Sequence, residues 1–170
     1  MAFNHIQIFI DYLEQLRGLL VKIEASVGAD LSILDARLTD DMFPLFTQVA
    51  IAAGFSLRAC CPMANDPVVS FEAQQHTFMG LQTQLKDTIA YLKKLNNSKI
   101  EITKNHISDM AGPVKVTLPA MEFLHRFALP NFYFHISMVY AIAKVNGIAV
   151  SKGDYDGFHQ YPAGFTFEDE

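Results

Sequence analysis

Ile6, Phe9, Leu13, Leu16, Leu20, Ile23 and Val27 step along the chain by 3, 4, 3, 4, 3 and 4 residues. At about 3.6 residues per turn, that spacing gathers all of them into one apolar seam on one side of an α-helix. A seam of this length must be buried, and its alternation of threes and fours favours partners lying nearly parallel or antiparallel to it. The sequence predicts a helix from Phe3 to Val27, with Asp11, Glu14, Arg17, Lys22 and Glu24 on its wet side. A second seam, Phe78, Leu81, Leu85, Thr88, Leu92 and Leu95, predicts a helix that Ser70 would cap and that Asn96-Asn97-Ser98 ends. Two such seams call for a bundle of helices.

The segments between are read by their punctuation. Gly28 to Thr39 reads as a connection, and Asp40 or Asp41 as the N-cap of a helix from Met42 to Cys61 with Pro44 in its first turn. That helix is very apolar, so burial on more than one side is expected. Pro62 and Pro67 should stop it, with Asn65-Asp66 as a turn. From 99 to 118 the apolar period drops to two: Ile100 and Ile102, then Val114, Val116 and Leu118, around a loop SDMAGP, predict a β-hairpin. A fourth helix follows from Pro119 to Asn146-Gly147, where glycine supplies the left-handed cap. The last twenty or so residues read as an irregular tail. The fold expected is a four-helix bundle with a small hairpin, one domain over 1–170.

Composition closes several functional classes. With 51% hydrophobic and 18% charged residues the chain has the makings of a core, which excludes disorder. Its net charge is −5 and its 13 Lys and Arg are scattered, so no basic stripe is offered to nucleic acid. Apolar runs break well short of the roughly 20 residues of a membrane span, and the N-terminus lacks the marks of a signal peptide. A cytoplasmic protein is expected. Cys60 and Cys61 are adjacent and read as reduced and half-buried rather than as a metal clip. There is no Gly-x-Ser-x-Gly elbow and no phosphate loop.

One stretch carries chemistry: HRFALPNFYFHISMVY, residues 125–140. Pro130 deletes a helical hydrogen bond and clashes with the Arg126 carbonyl, so the helix either breaks near Ala128 or kinks. Beyond it, Asn131 and His135 are four apart and share a face, flanked by Phe134, Met138 and Ala141. In an unbroken helix His125 would sit about 80° around from His135, so the two converge only through a kink. His5, His76, His106 and His159 have no partner at ligand spacing.

The run HRFALPNFYFHISMVYAIAKVNGIAVSKGDYDG resembles the C-terminal signature of domain-of-unknown-function family 1993, in which LHFALPNFYFH…AYAILRxNGVxLGKxDY recurs. ARLTDDMFPLFTQV at 36–49 resembles the opening of that family's second helix. The resemblance spans nearly the whole chain and implies the DinB/YfiT-like superfamily of four-helix bundles, many of them metalloenzymes. An intact superfamily site takes one His from the second helix and a His-x-x-x-His pair from the last. Here that pair becomes Asn131-Phe-Tyr-Phe-His135, and the nearest inward polar residue on the second helix is Gln48. One imidazole with two amide oxygens is a poor donor set for Zn²⁺ or Ni²⁺.

The expectation is therefore a degenerate metal site with no cofactor, in a protein more binding module than enzyme. Its pocket candidates are His135, Asn131, Gln48, His125, Tyr133, Phe134 and Met138. The partners expected are a second copy of the chain, as a homodimer, and a small molecule, with neither nucleic acid nor membrane. Two alternatives stand: a metal- and thiol-dependent transferase or isomerase that would use His135 and His125 as ligands, and a structural protein-interaction module.

Overall fold

The computed structural model describes residues 5–96, 106–162 and 165. Its long helices are α1 (His5–Val27), α2 (Leu45–Met63), α3 (Phe78–Asn96) and α5 (Leu129–Val145). A three-residue α4 (Ala120–Glu122) and a π turn over Phe123–Ala128 run directly into α5. Strands β1 (His106–Ala111) and β2 (Val114–Pro119) precede α4, and a short α6 (Lys152–Asp156) follows α5.

The seams are buried from Ile6 to Ile23 on α1 and from Phe78 to Leu95 on α3, and Val27, the last residue of the first seam, is half-buried. α1 lies against α3, α3 against α2, and α2 against α5, so one core is shared by all four long helices. By length and composition α2 could cross a membrane, which the sequence reading did not expect of any stretch. Here 61% of that apolar window is buried inside the fold.

The element boundaries correct the sequence in four places. Neither Asp40 nor Asp41 caps α2. The N-cap is Pro44, without a side-chain cap, and the Asp41 carboxylate accepts instead from the Thr39 hydroxyl at 2.6 Å. The reason is Pro44 itself, whose ring pushes Phe43 out of the helical region and bars any earlier turn. Pro62 does not stop α2 but sits in its last turn. A left-handed Asn65 (φ 55°) then closes the helix, with Asn65 N–H on the Pro62 carbonyl and Asp66 N–H on that of Cys61.

α3 begins at Phe78, not Ser70, because the cap is Thr77, whose hydroxyl accepts from Gly80 N–H at 3.1 Å. The first strand is His106–Ala111, so Ser108 to Ala111 belong to the ladder rather than to a loop. The turn is Gly112-Pro113, with Gly112 at φ 58°, a region open chiefly to glycine. Ile100 and Ile102 lie outside the described residues. Gly147 ends α5 at φ 78° as read.

The supposed irregular tail holds α6, opened by a capping box in which Asp154 accepts from Ser151 N–H at 2.6 Å. Lys22 of α1 pairs with the same carboxylate at 2.9 Å, tying α6 to the first helix.

Candidate functional site

Pro130 neither ends the helix nor leaves it regular. Ahead of it the backbone winds as a π turn, and Leu129 N–H donates to the Leu124 carbonyl five residues back. That wider winding lets the chain stay helical through a residue with no N–H to give. Asn131 completes the adjustment, its side-chain amide donating to the Phe127 carbonyl at 2.7 Å. The residue at the first position of Asn-x-x-x-His is thus engaged by backbone and not by His135.

His135 lies on the buried side of α5, 7% exposed, opposite Gln48 of α2, which is 1% exposed. The Gln48 amide nitrogen donates to the Phe43 carbonyl at 3.1 Å, so its oxygen is turned toward the imidazole. His135 Nδ1 stands 2.6 Å from that oxygen. The acceptor requires a proton on Nδ1, which leaves Nε2 as a bare lone pair in the neutral ring. Burial first, and then the positive charge of Arg58, push the His135 pKa down to about 4. At neutral pH the ring is uncharged and an acceptor at Nε2.

Arg58 belongs to a stack. Its guanidinium carbon sits 4.3 Å over the Phe55 ring, and Phe55 stacks on His135 with centroids 5.7 Å apart and planes 21° apart. Arg58 Nε donates to Asp109 of β1 at 2.7 Å, and its other nitrogen to the Met110 carbonyl at 2.9 Å. The hairpin is thereby fastened to the helix that carries Gln48. Phe134 stands edge-on to His135 at 5.3 Å, and Met138 is half-buried beyond it. Phe55, Arg58 and Asp109 were not singled out in the sequence. Their signal was Arg58, the one charge in an otherwise apolar α2, which needs an anion to be tolerated there.

The remaining candidates scatter. His125 is exposed on the π turn, with its ring edge-on to His5 at 6.0 Å. It does not converge with His135; the winding at Pro130 leaves it on the outside. Burial, and then the charge of His125, lower the His5 pKa. Tyr133 faces α1 instead, 4.9 Å from the Tyr12 ring. Cys60 and Cys61 are free, and burial pushes both thiols up, which leaves them unreactive.

Among the described residues no three His, Cys, Asp or Glu side chains converge as metal ligands. His135 offers one imidazole, and the amides of Gln48 and Asn131 are already committed. The residues present do not fit a divalent transition metal.

The comparisons agree with this frame. The family model described as "Domain of unknown function (DUF1993)" matches residues 3–156. A crystal structure of a DinB family member protein from Shewanella denitrificans superposes at a TM-score of 0.78 and is 26% identical, over 93% of this chain and 92% of that one. No curated protein matches.

Proposed function

We propose, from the premise that the chain belongs to the DUF1993 family and has a DinB-like fold, that it is a metal-free small-molecule-binding protein rather than an enzyme. The four long helices are read as a DinB-type four-helix bundle, cytoplasmic, with a degenerate metal site. His135 is its polar anchor: a neutral imidazole presenting Nε2 to a ligand N–H or O–H, with Phe55 and Phe134 as apolar walls. The observation that carries this is the 2.6 Å contact of His135 Nδ1 with Gln48, which fixes the tautomer. A metal-ligating histidine is oriented in the same way through its second nitrogen, which suits a site that has lost its other ligands. A homodimer would bury the exposed apolar side of α5, where Phe134 and Val145 lie.

Elemental analysis of protein purified without chelator or affinity tag tests the reading. Zinc and nickel are expected at the level of a His135→Ala control. Near-stoichiometric metal lost in that variant would overturn it in favour of the metal-dependent transferase. The complementary arm is melting with phenol as an O–H donor probe. Wild type should gain about 2.7 kcal/mol at a hundredfold excess over Kd, and His135→Ala should gain nothing.

A further inference from the structure

A cleft of about 410 Å³ opens between α1, α5 and the turn after α6, on a side of α5 that the His135 reading does not use. Its walls include the rings of Tyr12, Tyr133 and Phe158 and the carboxylates of Asp11, Glu14 and Asp156, and among the described residues no Lys, Arg or His lines it. Both tyrosine rings line the cleft, and they meet edge to face at 67° with centroids 4.9 Å apart. Tyr155 braces Tyr12 from behind at 5.7 Å.

The carboxylates differ in how far they are neutralised. Glu14 is shared between Arg17 at 3.0 Å and Lys93 at 3.2 Å, and Asp156 holds His159 together with two backbone amides. The partner of Asp11 is the neutral Gln7 amide at 2.7 Å. The cleft is negative and aromatic at once. Burial raises the pKa of both tyrosines; Tyr155 and then Asp156 add to it at Tyr12, and Tyr12 and Tyr155 add to it at Tyr133, which reaches about 12.

A bare divalent ion would need several oxygens at about 2.0–2.6 Å, and among the described residues no three carboxylates converge to supply them. Ring faces attract instead a cation whose charge lies under an apolar shell. We propose that this cleft binds a small alkylated ammonium, its methyl groups against the Tyr12 and Tyr133 rings and its charge balanced by Asp11.

The probe is choline, titrated calorimetrically into the full chain at constant ionic strength, beside 3,3-dimethylbutan-1-ol, its uncharged isostere. Choline should bind and the alcohol should bind at least about tenfold more weakly, the equivalent of 1.4 kcal/mol. Asp11→Asn, on an exposed position where folding is not at risk, should weaken choline several-fold. Tyr133→Leu should abolish binding, with Tyr133→Phe restoring it because the ring is kept. No heat with choline, equal affinity for the alcohol, or an unchanged Asp11→Asn variant would each overturn the proposal. Because Asp11→Asn reads the cleft alone, failure here is distinguishable from failure of the His135 reading.

Discussion

His125 and His135 belong to one unbroken helical run, yet one is exposed on a π turn and the other is buried against a neighbouring helix. Position along the helix does not explain the contrast. The side of the run on which each falls does: the wider winding ahead of Pro130 turns Phe123 and Leu124 to the core and His125 to solvent, and the regular α5 behind it sets His135 against α2. On both sides of the proline the run therefore has a core side and a wet side: Phe123, Leu124, Ala128 and Leu129 ahead of it are buried as His135 is, while His125 falls on the wet side.

The largest effect should come from cutting the regular half. Phe132 is fully buried and edge-packed on Phe9 at 4.8 Å. Phe132→Ala should cost about 3–5 kcal/mol in urea unfolding. If the loss were below about 1 kcal/mol, the part of α5 beyond Pro130 would not be held by the core at all, and the contrast would collapse.

Next in size is the pH dependence of His135. Its pKa falls from 6.5 unfolded to about 4 folded, so the unfolded chain takes up the proton first as pH drops. Its contribution is intact above pH 6.5 and lost progressively down to pH 4. The loss should approach roughly 3 kcal/mol, and it should vanish in His135→Gln. Equal slopes for the two proteins between these pH values would show that His135 titrates like an exposed residue.

These two regions were unequally legible in the sequence. Periodicity announced α1 and α3 because burial imposes the 3–4 spacing directly. The inward Gln48 was reached through the family resemblance, as the polar residue nearest to where a second-helix histidine would stand. What spacing could not reveal was the π turn, since a proline permits a break, a kink or a wider winding, and only the packing of the flanking residues selects one. Asn131 followed the same rule: its i, i+4 relation to His135 was real, but the nearer Phe127 carbonyl claimed its amide. The Arg58–Asp109 contact joins residues 51 apart across an undescribed segment, a distance at which local pattern says nothing. α6 was hidden by Gly153, although Ser151 and Asp154 stood at capping-box spacing.

Asn131 sits at the boundary and should show an intermediate cost. Asn131→Ala removes one hydrogen bond, with an expected loss of about 1 kcal/mol and no change in the His135 titration followed by NMR. A shifted titration would place Asn131 in the His135 network after all, and the two halves of the helix would be coupled through it.

The smallest expected effect tests the wet side of the π turn. His125 is exposed, and its ring leans on His5 across the start of α1. His125→Gln should change stability by less than about 0.5 kcal/mol, as substitutions on open surface do. It should still leave one electrostatic trace. The charge of His125 helps to hold down the His5 pKa, so removing it should let His5 protonate at a higher pH, while burial keeps that value below 6.5. The His135 titration should stay where it was, because its shift comes from burial and Arg58. A His135 resonance that moved in His125→Gln would mean that the charge reaches across the π turn, and Pro130 would then separate the two histidines in backbone geometry but not in field.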